Sequence, residues 1–276
     1  MALEKRALKA AIDIAQTFRI ECSQAAIIHR SNNIVVRLKP SPVVAKISNS
    51  EHSAPYFSLE MDVCRFLANT DAPSMHPSSL APQEVHHRNG FAITLWEFVE
   101  GHHREDFCNA TALNLLNSLH RRLSSYPGKI PYFLDKPIGC LKALEASSIA
   151  MAGLSRQDRS LLTRFLADEI QKFQTKHLNV QVLHGDTQAR NLLWVSESKA
   201  VWLDFESVCL GPREWDYVKM VGTEPVEGAD AELQNELSTL VSACVSTWCW
   251  QKAHREPEVQ EAAAYHLNRV KEKFRS

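Results

Sequence analysis

In the run His184-Gly185-Asp186-Thr187-Gln188-Ala189-Arg190-Asn191, an aspartate and an asparagine lie five positions apart. Thirteen residues after Asn191 comes the aspartate of Leu203-Asp204-Phe205-Glu206. Transfer of a phosphoryl group calls for these types of residue. A carboxylate must orient the attacking hydroxyl and accept its proton, and oxygen ligands must hold Mg²⁺ on the nucleotide phosphates. Asp186 at the head of a loop, with Asn191 further along it and Asp204 on a neighbouring strand, supplies those parts. For the three to meet, the apolar stretches LLWV (192–195) and AVWL (200–203) must pair as a hairpin across residues 196–199.

A second constellation lies upstream. Val44-Ala45-Lys46-Ile47 reads as strand, and Glu60 stands early in the helical pattern that follows. A strand lysine that touches nucleotide phosphates must be held in place, and a helix glutamate pairing with it does so. Around Lys46 the runs AAIIH, NIVVRL and PVVAKIS, broken at Ser31-Asn32-Asn33 and at 39–42, predict three antiparallel strands. The turn at Arg30-Ser31-Asn32-Asn33 has no G-x-G-x-x-G, so Ser and Asn side chains and backbone donors would replace a glycine-rich phosphate loop.

The remaining elements follow from periodicity. Leu3, Ala7, Ala11, Ile14, Ala15 and Phe18 share one helical face over 2–18; Leu59, Val63, Phe66 and Leu67 share another. FAITLWEFVEG reads as a strand ending at Gly101, after which the composition turns polar and helical. Helices are expected over 111–123, after a capping box at Ser155–Asp158, and over roughly 229–253 and 257–273, with a short β-rich island at about 181–206. The fold class expected is α+β, with a smaller N-terminal antiparallel-sheet lobe, residues 1–98, and a larger, mostly helical C-terminal lobe, residues 99–276.

Composition narrows the partners. With 45% apolar and 23% charged residues the chain is an ordinary globular protein, and its formal net charge of −1 removes a bulk electrostatic case for nucleic acid or an anionic membrane. No run of about 18 apolar residues is present. Seven dispersed cysteines without a C-x-x-C pair read as reduced core thiols. A cytoplasmic protein with no membrane or nucleic-acid partner, monomeric or homodimeric, is expected.

The HGDxxxxN loop, LDFE, Gly211-Pro212-Arg213-Glu214-Trp215-Asp216, the LHRRL helix end at His120 and the WEFVEG segment together resemble the aminoglycoside phosphotransferase and choline kinase group over about residues 25–220. That resemblance implies a bilobal protein-kinase-like fold, ATP in the cleft between lobes and a small-molecule hydroxyl as acceptor. It makes Asp186 the catalytic base, Asn191 and Asp204 the Mg²⁺ ligands, and Lys46 with Glu60 the phosphate-positioning pair. It puts Ser31 and Asn32 in the nucleotide loop and brings backbone groups of Glu97 and Val99 to the adenine. Where protein kinases commonly carry a lysine two residues after the catalytic aspartate, this chain has Gln188. Arg190 is the nearest cation and a candidate to offset charge on the transferred group. Glu206 is given no role of its own, and His184 and Asp216 are expected to brace the loop.

Aminoglycoside-like acceptors lead, ahead of choline-like amino alcohols, sugars and other metabolites. From Glu214 to Glu236 seven acids face Lys219 alone, a surface that would draw a cationic acceptor, and Trp215, Tyr217, Trp248 and Trp250 offer aromatic faces to it. Leu233, Leu237, Leu240, Val241, Cys244 and Trp248 also read as a plain core stripe. His52, His76, His86-His87 and His102-His103 lack metal-ligand spacing and read as surface histidines. The readings set against a small-molecule kinase are a protein side-chain kinase, disfavoured by the missing A-P-E segment, and a nucleotide-binding pseudoenzyme, disfavoured by the intact set of five residues.

Overall fold

A computed structural model describes residues 2–48, 53–104, 109–146, 151, 153–253 and 256–274. His52 and Cys108 lie outside the described residues. In chain order the elements are α1 (Ala2–Thr17), β1 (Cys22–Arg30), β2 (Asn33–Pro40), β3 (Val43–Ser48), α2 (Ala54–Leu67), β4 (His86–Arg88), β5 (Phe91–Glu97), α3 (Asn109–Leu123), α4 (Asp135–Glu145) and α5 (Arg156–Thr175). Then follow β6 (Gln181–Leu183), β7 (Leu192–Trp194), β8 (Ala200–Trp202), β9 (Cys209–Gly211), α6 (Glu214–Val221), α7 (Ala231–Lys252) and α8 (Gln260–Lys273). This is the expected α+β class, an antiparallel sheet in the N-terminal part and mostly helices after it. The chain forms two compact units, Met1–Ile130 with Asp186–Val208, and Pro131–Gly185 with Cys209–Ser276.

In the first unit an antiparallel sheet runs β1-β2-β3-β5-β4. The alternation of a strand decides what each face carries. Val43, Ala45 and Ile47 of β3 pack with Ile34, Val36 and Leu38 of β2 and with Ala7, Ala10, Ala11 and Ile14 of α1 in one buried cluster. The intervening Lys46 therefore belongs to the opposite face, between Val35 of β2 and Thr94 of β5 in register. The small alanines of α1 let the helix approach the sheet closely, and α1 is the packing element its periodicity predicts. Strand β4 was not foreseen: His86 is buried, its ring 4.7 Å from that of Phe18 and its Nε2 3.1 Å from Pro82 O, so it is no surface histidine. Burial lowers its pKa.

The second unit packs Phe133, Leu162, Phe165, Leu166 and Phe173 with Trp215, Leu237, Leu240, Cys244, Leu267 and Val270. Ser155 Oγ accepts from Asp158 N at 3.0 Å, the predicted start of α5, and Asp230 Oδ1 accepts from Leu233 N at 3.0 Å at the start of α7. Helix α4 stands where prolines suggest a loop; Pro137 falls in its first turn, where its missing N–H costs no helical bond. Six of the seven cysteines are described, and all six are free thiols. No described helix is long and apolar enough to cross a membrane.

Candidate functional site

Every residue singled out for phosphate and metal chemistry falls in the first unit. Lys46 Nζ lies 2.8 Å from both carboxylate oxygens of Glu60 and 2.9 Å from Asp204 Oδ1. It also lies 2.6 Å from Glu206 Oε1, a contact that no local spacing predicts. Glu60, fully buried on α2, accepts from Phe205 N at 2.9 Å, which ties the helix to the segment after β8. Asn33, the first residue of β2, donates its amide to Glu206 Oε1 at 2.5 Å. Asp204 itself sits in the left-handed region at φ 63°, ψ 68°, a conformation aspartate tolerates better than most residues and one that concentrates at functional sites.

One ammonium thus faces three carboxylates. Burial by itself would lower the pKa of Lys46, but Glu60, Asp204 and Glu206 together hold it well above the usual lysine range. Burial pushes Glu60 up to about 8 against the pull of Lys46, with Asp204 and Glu206 adding to the rise. Burial raises Glu206 as well. Burial drives the two glutamates up and opposes the rise of Lys46, while the carboxylates push all three up, because the cluster holds more negative charge than its cation neutralises. Ligand oxygens of Glu60, Asp204 and Glu206 lie within 4.8 Å of one another, the sole such group among the described residues. An all-oxygen donor set suits a hard divalent cation, and Asp204, with 42% of its side chain exposed, is the most accessible of the three.

The Asp186 loop is built differently. Gln188 Nε2 donates to Asp186 Oδ1 at 2.9 Å, and Asn191 Nδ2 donates to Asp186 Oδ2 at 2.9 Å and to its main-chain oxygen at 2.8 Å. Arg190 Nη2 stands off at 3.8 Å from Oδ2. The loop closes in a short 3-10 turn over Ala189–Asn191 and runs straight into β7. The expected hairpin forms, with Leu192 opposite Trp202 and Trp194 opposite Ala200, and Leu203 N donates to Asn191 O at 2.8 Å. Asn191 and Asp204 therefore sit at the facing ends of one two-stranded ladder anchored by the buried indoles of Trp194 and Trp202. Trp194 also exchanges two 2.9 Å backbone bonds with His102. A Cβ on Gly101 would come 2.6 Å from Trp194 O, which explains the glycine that ends WEFVEG.

Ser31 and Asn32 form the exposed turn between β1 and β2, immediately before Asn33. Glu97 ends β5, and its amide donates to His76 O at 2.9 Å; Val99 follows on the same segment.

Within the second unit, Asp216 is fully buried and accepts from His184 N at 2.9 Å and Gly185 N at 2.8 Å, a brace on the two residues that precede Asp186 in the chain. The acidic stretch is largely consumed by such work. Glu214 accepts from Asp230 N at 3.1 Å, and Glu236 pairs with Lys172 and Lys176 at 2.8 and 2.6 Å. Glu224, Glu227, Asp230 and Glu232 are exposed, Asp230 while capping α7. The aromatic faces hold the chain's own cations, Lys219 lying 5.2 Å from the Trp215 ring and 5.8 Å from that of Trp248, and Arg213 6.0 Å from Tyr217. Trp250 is buried.

Residues 26–243 match the model of the phosphotransferase enzyme family. No curated protein sequence matches significantly. Among solved structures, APH(2'')-IIia in complex with GDP and kanamycin superposes with a TM-score of 0.65 at 13% identity, covering 94% of this chain and 96% of that one. A choline/ethanolamine kinase family protein from Mesorhizobium loti gives 0.58 at 14% identity over 97% and 92%. A microcompartment-associated aminopropanol kinase gives 0.60 at 13% over 94% and 95%. At such identities the likeness is one of fold.

Proposed function

The chain belongs to the phosphotransferase enzyme family, and from that premise we propose that it transfers the γ-phosphoryl group of ATP, with Mg²⁺, to a hydroxyl of a small molecule. The observation that carries this reading is the grouping of Lys46, Glu60 and Asp204 in the same compact unit as an Asp186 held by Asn191. In this reading Asp186 orients the acceptor hydroxyl and takes its proton as oxygen bonds to phosphorus. Lys46, fixed by Glu60, offsets charge on the nucleotide phosphates. Asn191 and Asp204 are the residues that would hold Mg²⁺, which when bound neutralises phosphate charge that the protein alone leaves unmet.

The Ser31–Asn32 turn offers hydroxyl, amide and backbone donors to the phosphates, and the Glu97 carbonyl with the backbone of Val99 meets the adenine. Residues 1–98 act as the nucleotide lobe and 99–276 as the catalytic and acceptor lobe of a cytoplasmic monomer or homodimer. Amine-bearing acceptors, aminoglycoside-like or amino alcohols, are the first to test. The similar structures, a kanamycin-bound phosphotransferase, a choline/ethanolamine kinase family protein and an aminopropanol kinase, support them, as do the exposed acids Glu224, Glu227 and Glu232.

The test is ADP release with ATP and Mg²⁺ across aminoglycosides, choline, ethanolamine, aminopropanol, homoserine and common sugars, with Asp186→Asn alongside. Stimulation by one class that disappears in the variant is the expected result. Stimulation that survives in Asp186→Asn would remove the base from this mechanism.

A further inference from the structure

The carboxylate of Asp186 is gripped on both oxygens by neutral amides of its own loop, and only one of the two donors belongs to a residue with an assigned part. Asn191 takes Oδ2; Gln188 takes Oδ1. Gln188 is tied at its main chain as well: it is extended at φ −78°, ψ 153°, and its carbonyl accepts from Asn191 N at 2.9 Å. The loop is thus a closed circuit, Asp186 to Gln188 by a side-chain bond, Gln188 to Asn191 by a main-chain bond, and Asn191 back to Asp186. A carboxylate held at one oxygen can still swing about its last torsion; held at both, its remaining lone pairs point in fixed directions. Arg190, at 3.8 Å and 68% exposed, is too distant and too solvated to set that torsion.

We propose that Gln188 is a positioning residue for phosphoryl transfer, fixing the rotation of the Asp186 carboxylate so that the lone pair of one oxygen meets the acceptor hydroxyl. This rests on the reading of Asp186 as the base. A glutamine can do this where a lysine would not serve equally well, because its amide adds a donor without adding a charge beside the proton acceptor. Gln188 then touches neither nucleotide nor acceptor, and its removal costs turnover and leaves affinity alone.

The experiment compares Gln188→Met, Gln188→Glu and Gln188→Lys with the parent and with Asp186→Asn, on an acceptor that supports turnover or, failing one, on ATP hydrolysis with Mg²⁺. Gln188→Met keeps length and loses the donor; kcat is expected to fall about tenfold with KM for ATP and acceptor within twofold, the cost of losing orientation rather than binding. Gln188→Glu keeps shape, has no donor when ionised, and is expected to lose at least as much. Gln188→Lys restores a donor of similar reach and is expected to recover to within about threefold of the parent kcat. A Gln188→Met or Gln188→Glu enzyme with parental kcat, a loss confined to KM, or a Gln188→Lys enzyme no better than Gln188→Met overturns the proposal. Melting temperatures of all variants separate this from misfolding: a fall in kcat at the parental melting temperature is loss of the donor, and one that tracks a lowered melting temperature is not. An Asp186→Asn enzyme with parental turnover would instead overturn the base on which the proposal rests.

Discussion

Two carboxylate sites in one compact unit are held in opposite ways. Around Lys46 the contacts are ionic and over-subscribed, three carboxylates to one ammonium within 2.9 Å, and the group is buried enough to push Glu60 up to about 8. Around Asp186 neutral amides of Gln188 and Asn191 reach both carboxylate oxygens at 2.9 Å, and Arg190 of the same loop stands off at 3.8 Å. The difference matches the proposed tasks. A place that receives phosphates and a divalent cation needs charge that the incoming groups complete. A proton acceptor needs direction, which hydrogen bonds give and a bare ion pair does not.

That contrast breaks first at Asp186 and Lys46. Asp186→Asn preserves size but loses the proton acceptor and, because its NH2 cannot accept, one of the two amide bonds at the carboxylate, and a drop of about 10² to 10⁴ in kcat is expected from steady-state assays. Lys46→Met should lose turnover and stability together. Lys46 is 7% exposed and Glu60 fully buried, so at a pH above 8, where Glu60 is ionised, removing the cation strands a buried carboxylate at a cost of up to about 3–5 kcal/mol in chemical denaturation, and less below it. Adding Glu60→Gln, which still accepts from Phe205 N, should restore much of that loss. If Lys46→Met is as stable as the parent, the cluster is not the strained, charge-heavy element described here.

The same surplus gives a pH signature. Glu60 has a folded pKa raised to about 8 from an ordinary 4.5, so the folded state binds a proton more tightly than the unfolded chain. Its contribution is present below about 4.5 and is lost as pH rises through 8, and stability from this group falls with pH across that window. Melting temperature is expected to decline by a few degrees between pH 6 and 8.5. Glu60→Gln should flatten the decline. Millimolar Mg²⁺ should lessen it, by supplying the positive charge that the carboxylates share.

Which parts of this could be read in advance is itself a matter of physics. The hairpin between Asn191 and Asp204 and the helix cap at Ser155 follow from local spacing, because turn chemistry and capping are short-range rules; the Lys46–Glu60 pair is read instead from the kinase-like pattern that the downstream motif brings with it. Glu206 and Asn33 were missed because they are 173 residues apart and meet only in the folded unit. Gln188 was visible as a departure from lysine, but its bond back to Asp186 depends on a turn geometry that sequence spacing does not set. The acidic run from Glu214 to Glu236 suggested a cation surface. In the fold Glu214, Asp216, Asp230 and Glu236 cap or brace backbone and pair with lysines, and the tryptophans beside them carry Lys219. Three-residue strands such as β9, and the first-turn proline of α4, fall below what periodicity resolves.

The smallest expected effect sharpens the comparison most, because Arg190 sits between the two styles of holding a carboxylate. It is a cation near Asp186, at the sequence position where charge on the transferred group could be offset, yet it is 68% exposed and 3.8 Å from Oδ2. An exposed pair at that distance is worth under about 0.5 kcal/mol, so Arg190→Ala should leave the melting curve in place. If the base is positioned by amides alone, kcat with Arg190→Ala should stay within about threefold and show the same dependence on added salt as the parent. A larger fall in kcat, with salt sensitivity reduced relative to the parent, would mean that Arg190 moves onto the phosphoryl group during turnover. The Asp186 loop would then combine both devices, with neutral amides fixing the base and a mobile cation for the charge that develops beside it.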